Sequence, residues 1–377
     1  MKTNINEYPK NYCPLFYKGL HTNIDDSYGL CALSIALGKS DVINFKSDKL
    51  NTIRSTWQNE QIKSCHSCWQ SEQSGGTSRR QLELEWLMTN PEIDETTTEL
   101  LCLDYNVGNL CNAACIMCGP AASSLWKAEL GLRGSEGIKY VSTNNLNKQL
   151  DLSKLRRIYL VGGEPFLIKE TKNMLLNIKQ QQQGSLQNLE FECSTNGSNF
   201  KNNQIMSLLA ECKKVTIKIS MDAIDKAYEY IRHPLKWKTI EENFEFLLKN
   251  FNYQVEVGAT IGIHNIDCLP DFFSWFQIQQ QNFNLSDRVF GINPVHGPLS
   301  FDHATVEMKN IWLEKLLKFS EHSWSSRASL MIQNSSSASN NNTWLDHLKS
   351  IDNRRNLNWK NSLPDLADIL EKTTAQD

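Results

Sequence analysis

The sequence predicts an α/β fold on an open, mostly parallel sheet: a partial barrel of six strand–helix units. Three observations predict it. Between residues 99 and 320, six short apolar runs alternate with six stretches of helical period. Alternation at this spacing argues for parallel strands joined by right-handed crossovers. The unusual loops all follow strands, which puts them on the carboxyl rim where such folds carry their chemistry. Six units fall two short of a closed eight-fold barrel, so the expected barrel is open.

The strands are expected at 99–105 (ELLCLDY), 156–165 (RRIYLVGGEP), 188–197 (NLEFECSTNG), 214–222 (KVTIKISMD), 253–263 (YQVEVGATIGI) and 287–295 (DRVFGINPV). Helices are expected at 121–132, 169–183, 202–213, 237–250, 269–281 and 305–320. The three-cysteine stretch NVGNLCNAACIMCGP follows the first strand and GGEP ends the second. STNG ends the third and SMD the fourth.

Composition narrows the function classes. The chain has 377 residues, a net charge of −3 and eleven cysteines. That length suits about two domains, and nothing in the charge points to a nucleic-acid or membrane-surface partner. The start, MKTNINEYPKNYCPLF, has no apolar run, and no window of ~18 apolar residues suggests a spanning helix. Many cysteines without a secretion signal argue for metal, cluster or redox chemistry over disulfides. The chain reads as cytoplasmic.

Cys111, Cys115 and Cys118 lie within eight positions, at C-x3-C-x2-C spacing. A structural zinc site closes with four ligands, and a cuboidal iron–sulfur cluster is normally held by four cysteines. Three on one loop leave a vacancy. Read alone, they also fit a zinc site with a remote fourth ligand. GGEP alone fits an ordinary tight turn. Ser220 and Asp222 fit helix capping, and Arg232 fits a solvated helix arginine.

Together, the C-x3-C-x2-C loop and GGEP resemble the signatures of the radical S-adenosylmethionine (radical SAM) enzymes. The resemblance implies a radical SAM-type partial (β/α)6 barrel of the TIM-like kind. It implies a [4Fe–4S] cluster on Cys111, Cys115 and Cys118, with SAM chelating the fourth iron. An electron from the cluster then cleaves SAM to a 5′-deoxyadenosyl radical, which takes a hydrogen atom from the substrate. Gly162, Gly163, Glu164 and Pro165 are the implied SAM-binding turn, with Glu164 accepting from the SAM ammonium. Asn196, Ser220, Asp222 and Arg232 are further implied cofactor-binding residues, Arg232 as a partner of the SAM carboxylate. The residue before the third cysteine, often aromatic in this superfamily, is Met117 here, which still packs softly over adenine. An electron donor such as flavodoxin or ferredoxin is implied. No residue is assigned as the donor or acceptor of the substrate hydrogen.

Residues 1–98 hold Cys13, Cys31, Cys65 and Cys68. CPLFYKGLHTNIDDSYGLC reads as two strands around an Asp/Ser/Gly turn, and the following stretch as a helix running into C-x2-C. This resembles the twitch (SPASM-like) module of radical SAM enzymes, placed at the amino terminus, and implies a second, auxiliary [4Fe–4S] cluster. The same four cysteines also describe a zinc ribbon. His66, between two of the cysteines, fits a ligand, a residue that tunes the site by hydrogen bonding or an exposed side chain, and Arg79 and Arg80 read as solvent-facing. Cys102, Cys193, Cys212 and Cys268 read as buried small hydrophobes.

The expected domains are thus 1–98, the auxiliary-cluster module; 99–320, the barrel; and 321–377, a helical extension with a polar loop at 334–343. Within it, 344–361 and 363–374 look helical. The leading functional expectation is modification of a ribosomally made peptide or protein. Oxidation or epimerisation of a small molecule such as an aminosugar is the alternative. A non-catalytic zinc or iron–sulfur scaffold is the reading from a different class. No helix-turn-helix-like precursor-recognition segment is visible at the amino terminus; for a peptide substrate, a separate protein can supply that domain.

Overall fold

The computed structural model describes residues 4–25, 27–39, 45–73, 77–132, 150–201, 203–285, 290–336 and 342–374. Parts of several expected features lie outside them: 74–76 of the glycine turn, 202 of the third helix, 287–289 of the sixth strand and 337–341 of the polar loop. The strands are β1 (Gly19–Thr22), β2 (Ser27–Gly29), β3 (Gly38–Lys39), β4 (Cys102–Asn106), β5 (Arg157–Val161), β6 (Glu190–Thr195), β7 (Lys214–Ser220), β8 (Gln254–Ile261) and β9 (Phe290–Pro294). The helices used below are α1 (Leu15–Lys18), α2 (Asp48–Thr56), α3 (His66–Gln73), α4 (Arg79–Thr89), α5 (Ser124–Glu129), α6 (Lys169–Gln181), α7 (Gln204–Leu209) and α8 (Asp225–Ile231). They continue with α9 (Trp237–Asn250), α10 (Leu269–Phe283), α11 (Val306–Leu317), α12 (Ser323–Gln333), α13 (Thr343–Arg355), α14 (Trp359–Ser362) and α15 (Pro364–Thr374). The fold class is the expected one: mixed α/β, with a parallel sheet core and a helical carboxyl-terminal region, consistent with a partial barrel. Among the described residues, no helix is long and apolar enough to cross a membrane.

The chain divides into two compact units. The first comprises residues 1–109, 138–193 and 202–216; the second comprises 110–137, 194–201 and 217–377.

In the first unit the strand order runs β3-β2-β1-β4-β5-β6. β1 and β2 form the expected antiparallel hairpin, pairing His21 with Gly29. The segment ahead of β1 was expected to be strand and is instead the single turn α1. Pro14 stands at its amino end with φ −55°, an angle proline fixes and helices accept. β1 then lies parallel to β4, pairing Leu20 with Leu103, and β4 lies parallel to β5. The first four residues of β4 are buried, as a strand covered on both faces requires. The expected helix running into the C-x2-C pair is α2, which ends at Thr56; Cys65 ends a short 3-10 turn and Cys68 lies in α3.

A buried ion network ties α4 to these strands. Ser78 starts α4 with a capping box closed by Gln81. One turn on, Glu83 is 2 % exposed. It accepts from Arg79 Nε at 2.8 Å and from the guanidinium of Arg157 on β5. Arg79 also reaches Asp104 of β4, at 3.0 Å. Burial opposes ionisation of Glu83, yet Arg157 and Arg79 hold its pKa below the usual carboxylate value. Arg79 and Arg80 are therefore not the solvent-facing residues expected, for Arg80 forms its own 2.6 Å pair with Glu72.

In the second unit, the end of β7 meets β8 through Met221 N–H and Gly258 O at 2.9 Å. β8 lies parallel to β9, pairing Ala259 with Ile292. Each covering helix buries an apolar stripe: Trp237, Ile240, Phe244 and Leu247 on α9, and Leu269, Phe272, Phe273 and Phe276 on α10. Phe273 stacks on Trp324 of α12. The expected helix over 344–361 breaks at Asn356, which takes a left-handed conformation (φ 52°) and ends α13. α8 and α12 are elements the sequence reading did not anticipate.

Replacing Glu83 with alanine leaves two guanidiniums buried without their shared carboxylate. The expected loss is about 3–5 kcal/mol of stability, read from the shift in a chemical denaturation curve. A loss under about 1 kcal/mol, the scale of an exposed pair, would show that the network is solvated and dispensable.

Candidate functional site

The three-cysteine loop lies in the second unit. Its backbone is pinned on both sides. Ala114 N–H donates to His233 O at 2.7 Å, and Ile116 N–H to Ile231 O at 2.8 Å. Ser123 Oγ donates to Ala113 O at 2.6 Å, and Trp126 Nε1 of α5 to Cys115 O at 2.8 Å. Cys115 is buried, while Cys111 and Cys118 are half-buried. Burial pushes the Cys115 thiol up to about 12, against the pull of Arg232, and burial also raises Cys118. A metal or cluster bound there must displace those protons.

Two side chains from outside the loop reach its sulfurs. Asn196, just past β6, has Nδ2 3.9 Å from Cys111 Sγ and 2.8 Å from Asn112 Oδ1. Arg232, at the end of α8, has Nη1 3.7 Å from Cys115 Sγ. Its Nε pairs with Asp222 Oδ2 at 2.7 Å. Burial works against the Arg232 charge, yet Asp222 and then Cys115 raise its pKa above the usual arginine value. Asp222 itself is completely buried. Its Oδ1 accepts from Thr260 N–H at 2.7 Å, and its backbone carbonyl accepts from Asn265 Nδ2 at 3.0 Å. Of the expected cofactor-binding residues, Asn196, Asp222 and Arg232 thus gather at the three-cysteine loop. Ser220, the last residue of β7, is half-buried.

The GGEP turn lies in the first unit, where Gly163 N–H donates to Gly108 O at 2.7 Å. Gly162 has φ +139°, and a Cβ on it would stand 2.5 Å from Gly108 O. Only glycine fits that close approach. Glu164 is buried, with Oε1 accepting from Phe166 N–H at 3.1 Å. Pro165 closes the turn, its carbonyl accepting from Ile168 N–H at 3.3 Å.

The first unit also brings Cys13, Cys31, Cys65 and Cys68 to the wall of one pocket, with Arg79 and Arg80 beside them. Cys13 precedes α1, Cys31 follows β2, Cys65 ends a short 3-10 turn and Cys68 lies in α3. Burial raises all four thiols, Cys31 to about 12 and Cys65 to about 11. Among the described residues, no three His, Cys, Asp or Glu side chains close around a single ion. A cuboidal cluster asks for a different spacing, because each thiolate takes a different iron.

The carboxyl-terminal helix α13 contributes residues the sequence reading missed. His347 Nε2–H donates to Ile116 O at 2.8 Å. Arg355 grips Glu129 of α5 with Nε and Nη2, and its Nη2 also donates to Ala114 O at 2.6 Å. Its guanidinium lies 5.0 Å from the Trp126 ring centroid. The available signal was the spacing of His347, Ile351 and Arg355, which puts all three along one side of a helix.

Arg355 is 3 % exposed at its side chain, so Arg355→Ala strands Glu129 and the Ala114 carbonyl together. The expected cost is about 3 kcal/mol, with Arg355→Lys intermediate because the two-pronged grip is lost. In the metal-free protein, thiol alkylation at Cys111, Cys115 and Cys118 should accelerate, while Cys193 in β6 stays protected. Unchanged alkylation would show that α13 does not hold the loop.

Residues 105–276 match the Radical SAM superfamily. No curated protein matches the chain. Among solved structures, native anSMEcpe with bound AdoMet is 16% identical over 58% of this chain and 59% of that one, at a TM-score of 0.42. Streptococcus suis SuiB bound to precursor peptide SuiA is 13% identical over 72% of this chain and 62% of that one, at a TM-score of 0.39. The chain spans less than two thirds of the length of either. The matched residues, 105–276, include the three-cysteine loop and the GGEP turn and are similar to the Radical SAM superfamily.

Proposed function

We propose that the protein is a radical SAM enzyme whose SAM-binding [4Fe–4S] cluster is held by Cys111, Cys115 and Cys118. The observation that carries this is the loop itself: three thiols, with N–H groups of Asn196 and Arg232 near two of the sulfurs. Such groups favour the thiolate form and tune a cluster. Bound there, the cluster supplies the electron that cleaves SAM to the radical that abstracts a substrate hydrogen atom. Gly162, Gly163, Glu164 and Pro165 form the turn for the SAM amino group, with Asn196, Ser220, Asp222 and Arg232 as its other binding residues. Because Arg232 already pairs with Asp222, its charge serves the Cys115 sulfur at least as much as the SAM carboxylate.

The four front cysteines are the ligands of a second, auxiliary [4Fe–4S] cluster of the twitch (SPASM-like) type. In support, all four line one pocket. The working domains remain 1–98 for this module, 99–320 for the barrel and 321–377 for the extension. The substrate is a peptide or protein, oxidised or otherwise modified at a side chain or backbone position. A flavodoxin or ferredoxin supplies the electron, and the setting is cytoplasmic. The support for a peptide is an open groove of about 910 Å³ in the second unit, described below.

Two measurements test the cluster assignments. Replacing Cys111, Cys115 and Cys118 together with alanine is expected to abolish formation of 5′-deoxyadenosine under dithionite; formation above background would refute the first assignment. Separately, the anaerobically reconstituted protein should carry about eight irons, as two cubes of four. Replacing all four front cysteines should bring this to about four. An unchanged count, or zinc in place of iron, would refute the auxiliary cluster.

A further inference from the structure

The groove in the second unit is bounded by α8, the first turn of α9, the start of α10 and the segment 361–366. Five carboxylates and two lysines line it. Two of the carboxylates already have cations. Asp267 Oδ1 takes Lys315 Nζ at 2.5 Å, and Glu229 Oε2 takes Lys236 Nζ at 2.7 Å. Asp225, Asp271 and Asp365 remain on the wall, and Asp271 and Asp365, with Asp267, crowd the half-buried thiol of Cys268. Burial and then those three charges push that thiol up to about 12. This wall suits a cation.

A second, independent feature faces the same groove. His264 lines it, is only 1 % exposed, and finds no hydrogen-bond partner for either ring nitrogen among the described residues. Burial, and then the positive charge of Arg232, bring its pKa down to about 3, so the ring is neutral. A neutral imidazole offers one N–H and one lone pair, and leaving both unmet in a buried place is unfavourable. A ligand that answers both must bring an acceptor and a donor. A peptide unit does so with its own C=O and N–H. A bare metal cation brings no acceptor, and a neutral polar molecule leaves the carboxylates unanswered.

The groove adjoins the three-cysteine loop through one chain of contacts. His264 precedes Asn265, which donates to the Asp222 carbonyl; Asp222 pairs with Arg232, and Arg232 lies beside Cys115.

We propose that this groove is the docking subsite for a lysine or arginine residue of the peptide substrate. Asp271 and Asp365 take the cationic side chain, and His264 takes the neighbouring peptide unit. This rests on the peptide reading above.

The test uses fluorescein-labelled heptapeptide pools with randomised flanks and a fixed central residue, either arginine or its neutral isostere citrulline. Binding to the anaerobically reconstituted full chain is read by fluorescence anisotropy. Asp271 and Asp365 are exposed, and an exposed ion pair contributes up to about 1 kcal/mol, so the arginine pool should bind about fivefold tighter. In Asp271→Asn/Asp365→Asn that preference should vanish, while binding of the citrulline pool stays unchanged. His264→Ala should weaken both pools alike. Circular dichroism must match the parent for each variant, and Asp271→Glu/Asp365→Glu, which keeps both charges, should retain the preference. Equal binding of the two pools overturns the subsite and leaves the peptide reading standing, whereas binding of neither overturns both. Calorimetric binding of Ca2+ that is lost in the double Asn variant assigns the wall to a metal and overturns the proposal.

Discussion

One buried guanidinium organises the second unit. Arg232 sits between the Cys115 sulfur and Asp222, and Asp222 is held by the Thr260 amide and the Asn265 side chain at the end of β8. A guanidinium without water demands a carboxylate. A buried carboxylate demands donors in turn. Meeting those demands fixes where α8 ends, where β7 and β8 stop and where the middle cysteine lies. Removing either charge would leave the other unpaired, so the loop geometry and the stability of this unit are hard to separate. The carboxyl-terminal helix adds a second grip through Arg355 and His347, which hold the backbone of the same loop.

The first unit uses the same device elsewhere. Glu83 joins Arg79 and Arg157, and Arg79 continues to Asp104, so α4 is tied to β4 and β5 by charges at low exposure. Arg79 also borders the four-cysteine pocket. Buried ion pairs are poor sources of net stability but set geometry strictly, because misalignment strands a charge.

The legible parts of this protein were those encoded over short stretches. Strands β4 to β9 followed from apolar runs, and the three-cysteine loop from spacing within eight residues. The GGEP turn was legible because φ +139° at Gly162 and the approach to Gly108 require a residue without a side chain. The illegible parts depend on distance in sequence. Arg79 and Arg80 read as solvated because charged residues usually are, and their carboxylate partners include one 25 positions away. His347 and Arg355 lie over 220 residues from the atoms they grip. Nothing local to LDHLKSIDNRR names those partners. α1 read as strand because its apolar residues match either period, and Pro14 decided it.

A cluster held by Cys111, Cys115 and Cys118, as proposed, would leave its remaining iron open to SAM. The most direct measurement is electron paramagnetic resonance of the anaerobically reconstituted, dithionite-reduced protein, recorded before and after saturation with SAM. The prediction is that SAM changes the g values of one reduced cluster and leaves the other untouched, since a cluster with four protein ligands has no place for it. Spectra that superimpose with and without SAM would contradict the account.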